Sequence, residues 1–289
     1  SAPWEVVSVV VSCGCGLGAA LLFYKLMRET LEQGTALFAV VLLCIAPLSP
    51  LFQVAYAESM YLFLLIVALY FVLRRRYGLL FPVIAMMALT RPSGLAFAFC
   101  LGLHVIYRYV VRDRDPFPLK DRVLAVSAVV FSAAMGLVWL VIAWIFTGSF
   151  SAYTDTELAW RSSYIGYQHL VPFAGWIQGG NWWLGAPIGA AVVGLLVLTF
   201  ALCMTTAAVR KLAIDLRLWV VSYVIYLLAV FFPQSSVFRL LMPVFPLLGV
   251  VALPRSRVYR VVVVLVFLGL QWLWLLLCWG VDGSDWTPP

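Results

Sequence analysis

Ten stretches of the sequence run apolar almost without interruption, at approximately 6–27, 35–52, 57–73, 78–90, 93–108, 123–146, 185–208, 217–232, 240–253 and 261–280. Nothing else in the chain constrains its fold as strongly. The runs show no period-two alternation, which argues against the strands of an outer-membrane barrel. Composition rules out a water-soluble domain. Hydrophobic residues make up 65% and charged residues 11%, with mean hydropathy +1.05, against about 45–50% and about 25% in soluble chains. Since a helix needs about 20 apolar residues to cross the hydrocarbon core, the expectation is an all-α polytopic membrane protein with about ten hydrophobic helical segments. It forms one transmembrane domain over residues 1–289, with the outer loop 147–184 as a small extracytoplasmic element.

The net charge of +7 is a topological signal rather than a nucleic-acid footprint, because Lys and Arg collect in cytoplasmic loops and orient the spans. Basic clusters occur at Lys25/Arg28, Arg74–Arg76, Arg108–Arg122, Arg210–Arg217 and Arg255–Arg260. All fall on one side only if 78–90 and 93–108 are the two arms of a hairpin, whose tip is Thr90-Arg91-Pro92-Ser93-Gly94. Proline and glycine break the helix there. The tally is then 16 basic residues inside and three outside, Arg91, Arg161 and Arg239. The arms are short, so the tip sits within membrane depth, where irregular backbone is tolerated only against protein or a wet cavity. The run 240–253 is also short and carries Pro243 and Pro246. Both features imply a cavity opening to the outer face.

The six cysteines lie within apolar runs without ligand spacing and read as small hydrophobes. His104 reads as structural. Asn181 is the only asparagine and 16 of the 19 basic residues are Arg, a skew that suggests a GC-rich bacterial genome and hence a bacterial inner membrane. The run beginning at Val6 is too long and glycine-rich for a signal-peptide core. No P-loop, G-x-S-x-G, H-E-x-x-H or CxxC motif appears.

Ionisable residues at membrane depth are functional-site hypotheses by default. Glu58 stands at the outer mouth of its run, Arg91 caps the hairpin, and the outer segment carries Asp155, Glu157, Trp160, Arg161, Gln168 and His169 among seven Trp and Tyr residues. Gln234, Ser235, Ser236 and Arg239 close the set. Guanidinium groups beside an apolar cavity suit a phosphate, and carboxylates beside tryptophans suit a sugar. Together they describe a lipid-phosphate-linked sugar with its tail in the bilayer. Each also has a structural reading. Glu58 pairs with Arg91 to hold the hairpin, Arg161 is a solvated charge, Asp155 and Glu157 order the segment, and His169 is an interfacial histidine.

At this point the residues resemble a family. Pro50-Leu51-Phe52-Gln53-Val54-Ala55-Tyr56-Ala57-Glu58-Ser59-Met60-Tyr61-Leu62-Phe63, followed by Ala88-Leu89-Thr90-Arg91-Pro92-Ser93-Gly94-Leu95, is similar to the PIG-V-type mannosyltransferases. So are Tyr153–Arg161, Gln234–Arg239 and the tail Asp285-Trp286-Thr287-Pro288-Pro289, which look like actinobacterial members. The resemblance implies a GT-C fold and mannose transfer from a polyprenyl-phosphate donor on the extracytoplasmic face to a glycan or glycolipid acceptor. Glu58, Asp155 and Glu157 are then the candidate catalytic carboxylates. Arg91, Trp160, Arg161, Gln168, His169, Gln234, Ser235 and Arg239 are the candidate substrate-binding residues. A divalent cation is compatible with these carboxylates, but no ligand spacing requires one. Family members place an acidic catalytic base in a first outer loop, whereas only Pro3-Trp4-Glu5 precedes the first apolar run here. That departure predicts an upstream segment or partner subunit that completes the catalytic unit. The rival readings are a transporter or flippase for an envelope lipid, and a non-catalytic subunit of an envelope-assembly complex.

Overall fold

The computed structural model describes residues 3–234 and 236–280. Over these residues the regular structure is helical, without a strand. The first half contains α1 (Trp4–Arg28), α2 (Gln33–Cys44), α3 (Ala57–Leu73), α4 (Leu80–Thr90), α5 (Gly94–Val110), α6 (Leu119–Gly136) and α7 (Val138–Thr147). The second contains α8 (Ala152–Ile165), α9 (Ala174–Leu184), α10 (Ile188–Thr205), α11 (Ile214–Val230), α12 (Val237–Leu240), α13 (Leu248–Val251) and α14 (Arg257–Leu275).

Among the described residues, four helices are long and apolar enough to cross a membrane: Trp4–Arg28, Leu119–Thr147 (α6 and α7 together), Ile188–Thr205 and Arg257–Gly280. The apolar face of α10 explains why water is the wrong solvent. Gly189 is its one buried residue, while Leu195, Leu196, Leu198 and Leu202 all point outward. Such a surface is an aggregation hazard in water and ordinary in lipid. The remaining runs form shorter apolar helices. Proline sets several of these limits. The run 35–52 yields a helix only to Cys44, because Pro47 and Pro50 lead into a 3₁₀ turn at Ser49–Gln53. Pro243 and Pro246 likewise split 240–253 into α12, a 3₁₀ turn at Met242–Leu247, and α13.

The chain divides into two compact units. The first comprises Ser1–Arg74, Ala207–Val220 and Ser235–Pro289. Here α1 packs along α3 and against α2. Trp219 is fully buried and donates its indole N–H to the Pro243 carbonyl at 2.8 Å. The basic ends of the elements converge. Arg74, after α3, bonds Glu29, after α1, at 2.7 Å, and Arg255, before α14, pairs with Glu32. Glu58 lies at the opposite end of α3, about 24 Å away at 1.5 Å per residue.

The second unit comprises Arg75–Thr206 and Val221–Gln234. Arg75, ahead of α4, and Arg108, in the last turn of α5, both hold the Asp115 carboxylate. The chain therefore runs out along α4 and back along α5, and Arg91 lies at the turn between them. Both arms pack on α6. The crossing of α5 and α6 is a glycine contact, since a Cβ built on Gly94 would stand 2.6 Å from the Gly136 nitrogen. Ser132 donates its hydroxyl to the Gly94 carbonyl at 2.9 Å beside it. One expectation needs correction. The stretch 147–184, read as an outer loop, is mostly helical, as α8 and α9. Gly148 and Gly166 end α7 and α8 in left-handed backbone (φ 71° at each), which glycine adopts without strain. These punctuation residues make helical turns out of a stretch too polar to resemble a span.

Candidate functional site

The first unit carries an ion pair between a buried carboxylate and a half-buried guanidinium, next to an apolar cavity. Glu58 sits in the first turn of α3, where the helix N-terminus favours an anion. Its carboxylate is 4% exposed and lies 3.1 Å from the Arg239 Nε. The Arg239 guanidinium also stands over the Tyr56 ring, 5.4 Å from its centroid. The neighbouring Ser59 is fully buried and its hydroxyl lies 2.9 Å from that of Ser12 on α1. Beside this pair opens a cavity of about 420 Å³, lined among others by Leu62, Phe238, Leu241, Met242, Leu273 and Trp274. Leu62 is one helical turn beyond Glu58, and Phe238 and Leu241 flank Arg239 along the chain. The cavity wall is almost wholly hydrocarbon, with the charges at one side. An amphiphile with an anionic head and an apolar tail matches that arrangement.

The second unit ties Arg161 and the hairpin tip to the C-terminal end of α11. The last carbonyls there run out of helical partners, with Leu227 receiving the Phe231 N–H at 2.9 Å, and the segment 147–184 supplies donors. Trp176 donates to Leu227 at 2.9 Å, the Phe173 N–H to Ala229 at 3.1 Å, and Arg161 to Val230 at 2.5 Å. Trp183 donates to the Pro233 carbonyl at 3.2 Å. One turn back along α11, Tyr226 donates to the Pro92 carbonyl of the hairpin tip at 2.6 Å. The tip that bears Arg91 and the helix that bears Arg161 are thus tied to the same end of α11. Arg91 itself is half-buried.

Along α8, Tyr153, Glu157 and Arg161 recur every fourth residue and share one face. Burial pushes the Glu157 carboxyl above the ordinary carboxylate range, and the adjacent Arg161 charge offsets this only in part. Burial lowers the Arg161 guanidinium in turn, against the pull of Glu157. A carboxyl raised toward neutrality is better matched to proton transfer than an exposed one. Asp155 is exposed and accepts the Ser151 hydroxyl at 2.6 Å. Trp160 is 65% exposed, and His169 is exposed as well. Gln168 bonds the Ile165 carbonyl at 3.0 Å and Gln178 at 2.9 Å. Gln234 is half-buried, whereas Ser235 and the tail 281–289 lie outside the described residues.

Glu58 forms an ion pair with Arg239, 181 residues away along the chain, a partner that the sequence does not suggest. The solvated reading of Arg161 needs correction, because its guanidinium caps a helix. Sequence reasoning misses Tyr153, Ser12 and the stacking role of Tyr56, although the fourfold spacing of Tyr153, Glu157 and Arg161 is legible once that stretch is helical. His104 is buried and bonds the Tyr77 hydroxyl at 2.9 Å, a structural role. All six cysteines are free thiols, and no cluster of metal-ligating residues occurs among the described residues. Compared with protein-family models, curated proteins and solved structures, the chain matches none.

Proposed function

We propose that this protein is a membrane glycosyltransferase of the GT-C kind, a mannosyltransferase that uses a polyprenyl-phosphate-linked sugar on the extracytoplasmic face of a bacterial inner membrane. The observation that carries the reading is the Glu58–Arg239 pair beside a 420 Å³ hydrocarbon cavity. The cavity accommodates part of a prenyl chain, and Arg239 meets the phosphate. Arg91 and Arg161 belong to the second unit and are a separate basic group. Glu58, in the same unit as Arg239, takes the proton of the acceptor hydroxyl as its oxygen attacks the anomeric carbon. The carbon–oxygen bond to the lipid phosphate breaks from the opposite face, and guanidinium groups stabilise the leaving charge. Trp160, with its exposed ring, offers a stacking surface for a sugar.

The test is incubation of the purified chain in proteoliposomes with radiolabelled polyprenyl-phosphate mannose and bacterial membrane lipids. Transfer of label to an acceptor supports the reading. Movement of the donor across the bilayer without transfer makes the protein a transporter, and neither outcome leaves a non-catalytic subunit. One observation favours that last role as a second reading: Arg161 is committed to the Val230 carbonyl, the work of a structural cap rather than of a ligand clamp.

A further inference from the structure

At the basic end of the first unit, α1 and α2 leave a groove open to the surroundings. Its walls are Leu17, Ala20, Leu21 and Tyr24 from α1, and Leu37 and Val40 from α2. Leu17, Leu21 and Leu37 are each more than half exposed. Helical spacing continues both α1 rows to a base: Leu17, Leu21 and Lys25 form one row, and Ala20, Tyr24 and Arg28 the other. An apolar channel thus ends at two cations in the last turn of α1.

Their charge is not spent within the protein. The two acids that follow α1 are both occupied from elsewhere, Glu29 by Arg74 and Glu32 by Arg255. Arg28 donates to the Leu31 carbonyl at 3.1 Å, which leaves most of its five N–H donors for another acceptor. Neither Lys25 nor Arg28 forms an ion pair with any of the described residues. The α1–α2 turn is therefore a cationic mouth on a hydrocarbon groove, and the bilayer has one abundant component with matching halves.

We propose that this groove is a binding site for an anionic phospholipid. The headgroup phosphate lies against Lys25 and Arg28, and one acyl chain runs outward along Leu21, Leu17, Leu37 and Val40. The site is separate from the Glu58–Arg239 cavity and does not depend on the transfer reaction.

Native mass spectrometry of the full chain in detergent, equilibrated with phosphatidylglycerol or phosphatidylcholine of the same acyl composition, tests it. Two cations at a membrane surface favour an anionic lipid by about thirtyfold. The wild type should retain phosphatidylglycerol by roughly that margin. Lys25→Gln with Arg28→Gln should abolish the preference, and Leu21→Trp, which fills the groove and keeps both charges, should lose the bound lipid. Equal retention of the two lipids by the wild type would overturn the proposal, as would a preference that survives the double substitution. So would Leu21→Trp dissociating a dimer while lipid retention is unchanged, because the groove would then seat a second copy. Unchanged helical signal and unfolding midpoint show that each variant is folded, and these exposed positions tolerate substitution.

Discussion

Replacing Gly94 with Ala tests the hairpin packing that positions Arg91. The added Cβ would stand 2.6 Å from the Gly136 nitrogen, 2.7 Å from its Cα and 2.8 Å from the Ser132 carbonyl oxygen. All three are backbone atoms, so no side-chain rotation relieves the clash. To reach ordinary contact near 3.4 Å, α5 and α6 must part by about 0.8 Å. Overpacking of this kind costs about 1–3 kcal/mol, and rigid backbone places it at the upper end. Stretching the Ser132 bond to Gly94 adds about 1 kcal/mol, and the better helix propensity of alanine returns at most about 1 kcal/mol. The net expectation is a loss of about 3 kcal/mol in reversible unfolding from mixed micelles. Gly102 lies on the same helix, and a methyl group added there would meet nothing within 4 Å, so Gly102→Ala should be neutral or stabilise by up to about 1 kcal/mol. If the two variants unfold alike, close approach of α5 to α6 at Gly94 is wrong, and with it the seat of the hairpin tip.

Three further outcomes follow from the geometry. Glu157 has a raised folded-state pKa, so its stabilising contribution is complete below the unfolded value near about 4.3 and is lost as pH rises through the folded value. Glu157→Gln should therefore gain stability relative to wild type across that window, and a pH-independent difference would refute the burial argument. Arg161→Ala should lower stability by about 1 kcal/mol through loss of the charge-assisted bond to Val230, a figure reduced for partial exposure; no loss would mean the cap is not formed in solution. With the six native cysteines replaced, single cysteines at the exposed positions Ser151 and Gly78 should differ in intact cells. Ser151→Cys should label with an impermeant reagent and Gly78→Cys should not, and labelling of the latter would reverse the orientation of the hairpin.

The long helices are legible in the sequence because burial in lipid demands unbroken apolar residues. α1, α3, α5 and α14 follow their runs closely. The hairpin is legible too, since Arg91-Pro92-Ser93-Gly94 interrupts apolar sequence while basic residues collect at Arg75 and Arg108, the two side chains that meet at Asp115. What stays hidden depends on distance along the chain. Nothing local marks Glu58 as the partner of Arg239, or Gly94 as the neighbour of Gly136. The helical state of α8 is obscured for a different reason. Among its residues Arg161 reaches α11, and polar and aromatic residues are mixed along the rest of the helix, which leaves no apolar stripe for a periodicity argument to find. Of the candidate residues, Arg161 owes its placement to the Val230 carbonyl, and Glu58 and Arg239 owe part of theirs to each other.

The account turns on whether the apolar cavity of the first unit receives the lipid portion of a prenyl-phosphate donor. The direct measurement is photocrosslinking of the full chain with a polyprenyl-phosphate mannose that carries a diazirine in its first isoprene units, followed by peptide mapping. Labelling should concentrate on the cavity wall at Leu241, Met242, Leu273 and Trp274, and excess unlabelled donor should suppress it. Labelling spread over the lipid-facing side of α10, or insensitive to competing donor, would contradict the account.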